Sequence, residues 1–495
     1  MAKLFIFAIG GSGSRVVKAL TMLLAAGVEL QNTDTIVPII IDPDSANGDL
    51  TRTEEILQLY KKIHQQGYTD QTSFFKTKIS SLDELGEGGF VSDNFKFDIE
   101  GVKEHLFKEF IGYSEMDKNN QAMTSMLFSR SNLDADMDVG FKGNPNIGSV
   151  VLNKFSTSDF FKKFAEAFGQ DDRVFIISSI FGGTGASGFP LILKNIRNAA
   201  PPLANHVSLN NARIGAVTLL PYYNINGLGT KTEIDSNVFI TKTKAALSYY
   251  AKNISGSNSL NALYYIGDKL FTDHRINGAD GAAEQKNKAH FIEMAAALSI
   301  VSFMETGDAE MQTEDGKVQQ PKYYEFGLKE ETNEIQFRHL AKGTYDSIAQ
   351  PLTQYALFYL FLKHHLKEKE GQRFATNGNN KLQEQFLNRV FLHDLELFNT
   401  HFEQWLEEMG NSMVSFAPLN LHVQGKDIIN LVNGNPEKSA GIFSFMKDSG
   451  IDYYVSTLNK TEEKKEYDAL GNSNKKLMAI FSNATATIVK ERINL

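Results

Sequence analysis

Short apolar runs alternate with one-sided helical patterns through roughly the first 300 residues of this chain. Leu4 to Ile9, Val37 to Ile41, Val174 to Ile180, Arg213 to Leu220 and Ala262 to Ile266 are nearly continuous in apolar residues and of strand length. Runs of this kind, without polar alternation, predict strands buried on both faces. Between them, Arg15 to Gly27 carries Val16, Leu20, Leu23 and Leu24 on one side, which predicts a helix. Phe189 to Asn198 and Asp235 to Lys252 predict two more. The alternation predicts an α/β fold, a mainly parallel sheet with helices on both faces. Ligands on such sheets bind beyond the carboxyl ends of the strands.

The pattern changes twice. Residues 50 to 138 hold helix-like segments (Glu54 to Gln66, Val102 to Ile111) among polar, turn-rich pieces, and are expected to be an insertion that either varies freely or docks a partner. Thr306 to Lys322 is polar and acidic, and predicts an exposed joint. After it come a predicted hairpin, Tyr323 to Phe337, and long helical segments at Tyr345 to Lys369 and Lys381 to Met409. The expected division is an α/β domain over 1–305 and a helix-rich α+β domain over 306–495.

Three glycine-rich segments give the first half its chemistry. They are Gly10-Gly11-Ser12-Gly13-Ser14, Gly143-Asn144-Pro145-Asn146-Ile147-Gly148, and Gly182-Gly183-Thr184-Gly185-Ala186-Ser187-Gly188. The first and third each join a predicted strand to a predicted helix. Such turns aim backbone N–H groups past the sheet edge, where the helix dipole adds positive potential. Several of them at one edge make a polyphosphate site. None carries the Gly-Lys-Ser/Thr ending of a P-loop, so the donors would be backbone groups, with the Thr184 hydroxyl beside them. Each N–H to a charged oxygen is worth about 1.5–3 kcal/mol.

The set resembles the tubulin/FtsZ superfamily. The opening Phe5-Ile6-Phe7-Ala8-Ile9-Gly10-Gly11-Ser12-Gly13, the Gly143 to Gly148 loop, and Gly182 to Gly188 (one residue longer than the family's Gly-Gly-Thr-Gly-x-Gly) are similar to its motifs and occur in its order. So are Ile214 to Pro221 and Leu263 to Leu270. The resemblance implies a tubulin/FtsZ-like nucleotide-binding domain that holds GTP or GDP with Mg²⁺, self-associates into filaments or oligomers, and hydrolyses GTP slowly. It implies phosphate contacts from Gly10, Gly11, Ser12, Gly13, Gly143, Asn144, Gly182, Gly183, Thr184, Gly185, Ala186 and Ser187. It places Asp44 near the phosphates, holding Mg²⁺ through water, and Asn224 near the ribose. It places Glu293, early in a helix predicted over Asn287 to Met304, where a family acid reads guanine. The family completes its active site with carboxylates from the next subunit, but Glu305 to Asp315 lacks that spacing. Asp308 and Glu310 are the candidates there, and no catalytic residue is assigned.

Composition narrows this picture little. The chain has 495 residues, 42% apolar and 22% charged, with a net charge of −9 and no cysteine. Its length implies two or three domains. Disulfide and thiolate chemistry are excluded, and a cytoplasmic setting without membrane insertion is expected. The negative charge disfavours a general nucleic-acid surface. His364 and His365 are adjacent on a predicted helix, point about 100° apart and so do not share a metal ion. Two other readings stay open. One is a non-hydrolysing switch or scaffold that docks a protein partner through the insertion or the C-terminal helices. The other is a dinucleotide oxidoreductase, because Gly183 to Gly188 formally fits G-x-G-x-x-G, although no acid closes the following strand.

Overall fold

The computed structural model describes all residues except 1, 45–46, 87–91, 100, 103–104, 138–140, 142–143, 223, 226–235, 269–274, 277–285, 326–331, 435–449 and 465, and except the side chains of 224–225, 236–240 and 275–276. Seven strands make one sheet: β1 (Lys3–Ile9), β2 (Thr35–Ile41), β3 (Lys78–Ile79), β4 (Arg173–Ser179), β5 (Arg213–Leu219), β6 (Ala262–Ile266) and β7 (Lys322–Glu325). Their order is β7-β6-β5-β4-β1-β2-β3, and every neighbouring pair is parallel. The order reverses between β1 and β4. That switch point is where open α/β sheets leave a crevice for ligands, and the first and third glycine segments follow those two strands.

Among the described helices of this part are α1 (Gly10–Ala25), α2 (Gly48–Gly67), α3 (Pro145–Leu152), α4 (Asp159–Ala167), α5 (Gly183–Arg197), α6 (Ser236–Asn253) and α7 (Phe291–Glu305). Alternate residues of β1 serve its two faces. Phe5 and Phe7 each meet Phe164 of α4 edge-on, with ring centroids 5.1 Å apart, while Ala8 backs onto α1. Leu4 through Ile9 are fully buried, and each large apolar side chain so buried contributes about 1.5–3 kcal/mol.

Four helices of 13 residues or more follow: α8 (Lys342–His364), α9 (Arg389–Gly410), α10 (Gly450–Glu462) and α11 (Ser473–Arg492). Phe358, Phe361, Tyr454 and Phe481 interlock between α8, α10 and α11. Tyr355 of α8 meets Phe74 and Phe75, whose rings come from the segment leading into β3. The C-terminal part is therefore a helical layer packed onto the α/β layer. After α8 begins, its described strand pairing is Ser415–Phe416 beside Glu334–Ile335 and a single bridge between Leu419 and Val432.

Three expectations change. Helices α1 and α5 begin at Gly10 and Gly183, so most glycines expected in loops lie in first helical turns. Among the described residues the expected hairpin over Tyr323 to Phe337 is not seen, and Glu334–Ile335 pairs with Ser415–Phe416. Lys322–Glu325 instead extends the sheet beside β6, with Tyr324 stacked on Tyr264 at 4.7 Å, and this burial of one strand face outweighs local pairing. Within the span expected as an insertion, residues 48 to 79 form a regular crossover, β2–α2–β3, whose helix buries Leu50, Ile56, Leu57, Tyr60 and Ile63.

Candidate functional site

Helices α1, α3 and α5 begin near one another at the carboxyl edge. A Cβ built on Gly10 would lie 3.6 Å from the Cβ of Thr184 and 3.8 Å from the Gly185 nitrogen. One built on Gly148 would lie 3.0 Å from the Gly183 carbonyl oxygen. The three glycine segments are thus brought together. Gly143 itself lies outside the described residues.

The glycines divide by what they face. A Cβ on Gly13 would sit 2.7 Å from the Ala8 carbonyl carbon, and one on Gly185 would sit 2.6 Å from the Ser179 carbonyl oxygen. Gly188 meets Ile9 at 2.8 Å in the same way. These three let helices press onto strands. Gly10 needs glycine for another reason, its φ of +75°. Gly11 is the open position, with the Asn47 amide nitrogen the only described neighbour within 4 Å, at 3.6 Å.

The ends of these helices differ from those of their neighbours. Ile9 before α1, Asn144 before α3 and Gly182 before α5 give no side-chain cap, and no acidic residue occupies any of the three first turns. By contrast α2, α7, α9 and α11 are capped by Asn47, His290, Asn388 and Asn472. An α-helix leaves its first N–H groups without internal partners. Three sets of donors and three positive dipole ends therefore meet with no carboxylate of their own first turns to neutralise them. The hydroxyls are partly committed. Ser187 Oγ donates to the Gly183 carbonyl at 2.7 Å, Tyr250 donates to the Ala186 carbonyl, and Ser12 Oγ accepts from Arg15 at 3.5 Å.

Beyond β2 comes an acidic turn. The Asp44 N–H donates to Asp42 Oδ1 at 3.1 Å. Asp44 is buried, and burial pushes the Asp42 carboxyl up to about 7. A carboxyl so placed favours a nearby cation. Among the described residues no three His, Asp or Glu gather to hold a metal alone, so a cation here would draw its other ligands from phosphate and water. These residues fit Mg²⁺ bound with a nucleotide, not a free-standing metal centre.

Glu293 stands in a different setting from the one expected. It is 1% exposed. Its Oε1 accepts from Arg15 Nε at 2.5 Å and from the Tyr222 hydroxyl at 2.9 Å, and its Oε2 accepts from the His290 N–H. Both oxygens are thus engaged within the protein, and reading a base would require this pairing to open. Arg15 also donates to Asp49 and Tyr222. Asp49 accepts from the Asn287 backbone and side chain, each at 2.9 Å, and Arg52 joins Asn287 to Glu408 of α9. Lys18 is buried beside this group and is lowered to about 8, first by burial and then by Arg52. Arg15, Asp49, Tyr222 and Asn47 were missed in the sequence. An arginine amid the apolar pattern of α1 and the Asn47-Gly48-Asp49 capping signature were the available signals.

Asp308 and Glu310 lie at the other end of the strands. Asp308 accepts from Arg173 Nη2 at 2.7 Å and pairs with Arg213 at 3.2 Å, the first residues of β4 and β5. Glu310 pairs with Lys322. A strand of seven residues separates Arg173 from the glycine edge, roughly 20 Å at the usual rise. Neither carboxylate reaches the glycine edge of its own chain. Asn224 falls in a two-residue strand with Ile225, paired to Arg275–Ile276, and its side chain is outside the described set. Of the adjacent histidines, His365 Nε2 accepts from the Gly425 N–H.

The sequence matches no protein-family model and no curated protein. Among solved structures the chain is similar to a mutant form of FtsZ from M. jannaschii, at 15% identity and a TM-score of 0.27, over 54% of this chain and 46% of that one. It is similar to CetZ from Methanosaeta thermophila strain DSM 6194, at 12% identity and a TM-score of 0.27, over 63% and 57%. It is also similar to Bacillus thuringiensis serovar israelensis TubZ in a GTPγS-form protofilament, at 11% identity and a TM-score of 0.30, over 82% of each chain. The chain thus spans about half the length of the first two structures. Values this low carry no step of the functional argument. No helix of the described residues is long and apolar enough to cross a membrane.

Proposed function

We propose that this chain binds a nucleoside triphosphate at the carboxyl edge of its sheet, with guanine the base implied by the motif resemblance, and that it self-associates. One observation carries the reading. Three helix N-termini without side-chain caps or first-turn acids converge at the switch point of a parallel sheet, where Gly11 leaves the backbone open. The phosphates would take the N–H groups of the first turns of α1 and α5, with α3 closing the third side. Asp42 and Asp44 would hold Mg²⁺ through water. When bound, Mg²⁺ supplies charge neutralisation to the phosphates, while the chain's own part is to bind and orient them.

Binding without hydrolysis by the single chain is the second reading, and the ion pairs of Asp308 and Glu310 favour it. A general base must lie within reach of the water it activates, and these two face the far edge. The test is calorimetric titration with GTP, ATP and NAD, with Mg²⁺ present, on the wild type and on Gly11→Ala. Submicromolar to micromolar binding of a triphosphate that weakens at least tenfold in the folded variant supports the reading. Equal binding by both proteins, or binding of NAD alone, removes it. Light scattering after adding the nucleotide tests self-association, and phosphate release across a range of protein concentrations separates the two readings.

A further inference from the structure

Residues 286–290 lead into α7 and belong to no helix or strand. Their course is therefore set by what their backbone groups meet. The Asn287 N–H donates to Asp49 at 2.9 Å, and the Asn287 carbonyl accepts from Arg52 Nη2 at 2.6 Å. The Ala289 N–H donates to Glu408 Oε2 at 2.6 Å, and the His290 N–H donates to Glu293 at 3.2 Å. Asp49 and Arg52 stand on α2, and Glu293 on α7 itself. Of these four charged residues, Glu408 is the one that comes from the C-terminal layer, on α9. It lies in the last turn of that helix, which holds no basic residue, so the negative end of the dipole disfavours a carboxylate there. Its donors offset this: Arg52 Nη1 at 3.0 Å and Gln404 at 2.9 Å on Oε1, and the Ala289 N–H on Oε2. The side chains of Arg52 and Glu408 are only 6% and 12% exposed. Removing the carboxylate would leave the guanidinium short of a partner where little water replaces it.

Two of those donors lead to the glycine edge. Next to Ala289 is His290, whose ring caps α7 through the Ile292 N–H and packs on Tyr222 with centroids 5.0 Å apart. The Tyr222 hydroxyl accepts from Arg15 at 2.8 Å. From Arg52 the contacts run through Asn287 and Asp49 to the same arginine. Arg15 stands in the second turn of α1 and reaches back to Ser12 of the first glycine segment. The Asp49 N–H also donates to Asn47, whose amide faces the open position at Gly11. Glu408 thus holds, from another layer, both routes by which Arg15 and Asn47 are placed behind the first turn of α1.

We propose, resting on the nucleotide reading above, that Glu408 is a positioning residue for the nucleotide edge, and that through it the C-terminal layer sets how tightly the edge holds its ligand. Coupling of this kind is reciprocal, so bound nucleotide must in turn tighten the Glu408 contact. The probe is GTP with Mg²⁺, titrated by calorimetry into the full-length wild type, Glu408→Ala, Glu408→Gln and Glu407→Ala, each scaled to its folded fraction. Hydrogen exchange at the Ala289 amide is followed in the wild type with and without saturating GTP. Affinity is expected to fall about tenfold in Glu408→Ala, an ordinary size for such coupling. It should fall less in Glu408→Gln, which keeps one acceptor, and hold in Glu407→Ala, which removes the exposed acid next to it. Saturating GTP should slow exchange at Ala289. That measurement uses the wild type, so it keeps the test sound if Glu408→Ala misfolds. Unchanged affinity in folded Glu408→Ala, an equal loss in Glu407→Ala, or exchange at Ala289 indifferent to GTP would overturn the assignment and leave the nucleotide reading standing. Absence of GTP binding by the wild type would end both.

Discussion

At the amino edge of the sheet, charge meets charge. Arg173 and Arg213 share Asp308, Lys3 holds Asp172 at 2.9 Å, and the buried guanidinium of Arg197 spends its donors on the carbonyls of Ser259, Asn210 and Ala212. At the carboxyl edge the same sheet presents helix N-termini that no side chain caps. The ionic group nearest to it, around Arg15, is closed on itself through Glu293, Asp49 and Tyr222. One edge is therefore finished by the protein, and the other keeps backbone donors for something that is not protein. A structural edge and a binding edge differ here less in how many polar groups they contain than in whether those groups are already spent.

The largest effect that would sharpen this contrast comes from the glycines. Gly185→Val is expected to lower stability by about 3 kcal/mol or more, because its side chain would strike the Ser179 backbone, and overpacking against a strand cannot relax easily. Gly11→Ala meets only the Asn47 amide at an ordinary contact distance, so its fold should survive while nucleotide affinity drops. Urea unfolding and nucleotide titration of both variants check the pair. A stable Gly185→Val would break the assignment of that glycine to packing.

Next is Glu293→Gln. Removing one charge from a buried ionic group that holds Arg15 is expected to cost about 3 kcal/mol. If Glu293 acts only as a counter-ion, the ratio of GTP to ATP affinity should stay the same in this variant. A collapse of that ratio at unchanged fold would show that the carboxylate leaves Arg15 to read the base.

Arg173→Met should cost less, about 2 kcal/mol, through the lost hydrogen bonds to the Phe303 and Met304 carbonyls. Asp308 keeps Arg213 and can rehydrate. Because this change lies at the finished edge, nucleotide affinity should not move, and a tenfold loss would erase the distinction between the edges.

The five long strands, the glycine segments and the helices that follow them were legible because period and punctuation agree there. Apolar runs end in glycine, and helical spacing begins. The unexpected elements depend on distant partners. β7 exists through Tyr264 and its strand, about sixty residues away in sequence, and β3 is two residues long. Glu293 shows the limit at the site. Its place early in α7 was legible, but its neighbours Arg15 and Tyr222 come from α1 and from the turn after β5. A carboxylate that reads a base and one that balances an arginine look alike until those partners are placed.

A smaller and pH-dependent effect is expected at Asp42. Its carboxyl is raised from 3.8 to about 7 in the folded chain. Across that interval the folded state keeps a proton that the unfolded chain has lost, so this group's contribution to stability falls as pH rises through the interval and is level above it. Asp42→Asn cannot ionise. Without nucleotide it should raise Tm at pH 8 by a few degrees, and the gain should vanish near pH 4. Saturating Mg²⁺ and nucleotide should reverse the sign at pH 8, because the wild-type carboxylate would then face a cation. Thermal unfolding at both pH values, with and without ligand, checks this. A gain that persists in the loaded protein would remove Asp42 from the cation site.

The smallest effect is expected from Asp308→Asn and Glu310→Gln. Both residues are more than half exposed, and ion pairs so open to water add little to stability. In Asp308→Asn the new amide oxygen would still accept from Arg173, so stability should change little. In dilute protein neither change should alter nucleotide affinity, since both residues face away from the glycine edge of their own chain. Any effect on phosphate release should emerge only as concentration rises, when the amino edge of one chain can meet the carboxyl edge of another. Phosphate release measured across a wide concentration range for the wild type and both variants tests this. A loss of turnover that is equal at every concentration would mean that these carboxylates reach the nucleotide of their own chain, and the separation of a finished edge from a binding edge would fail.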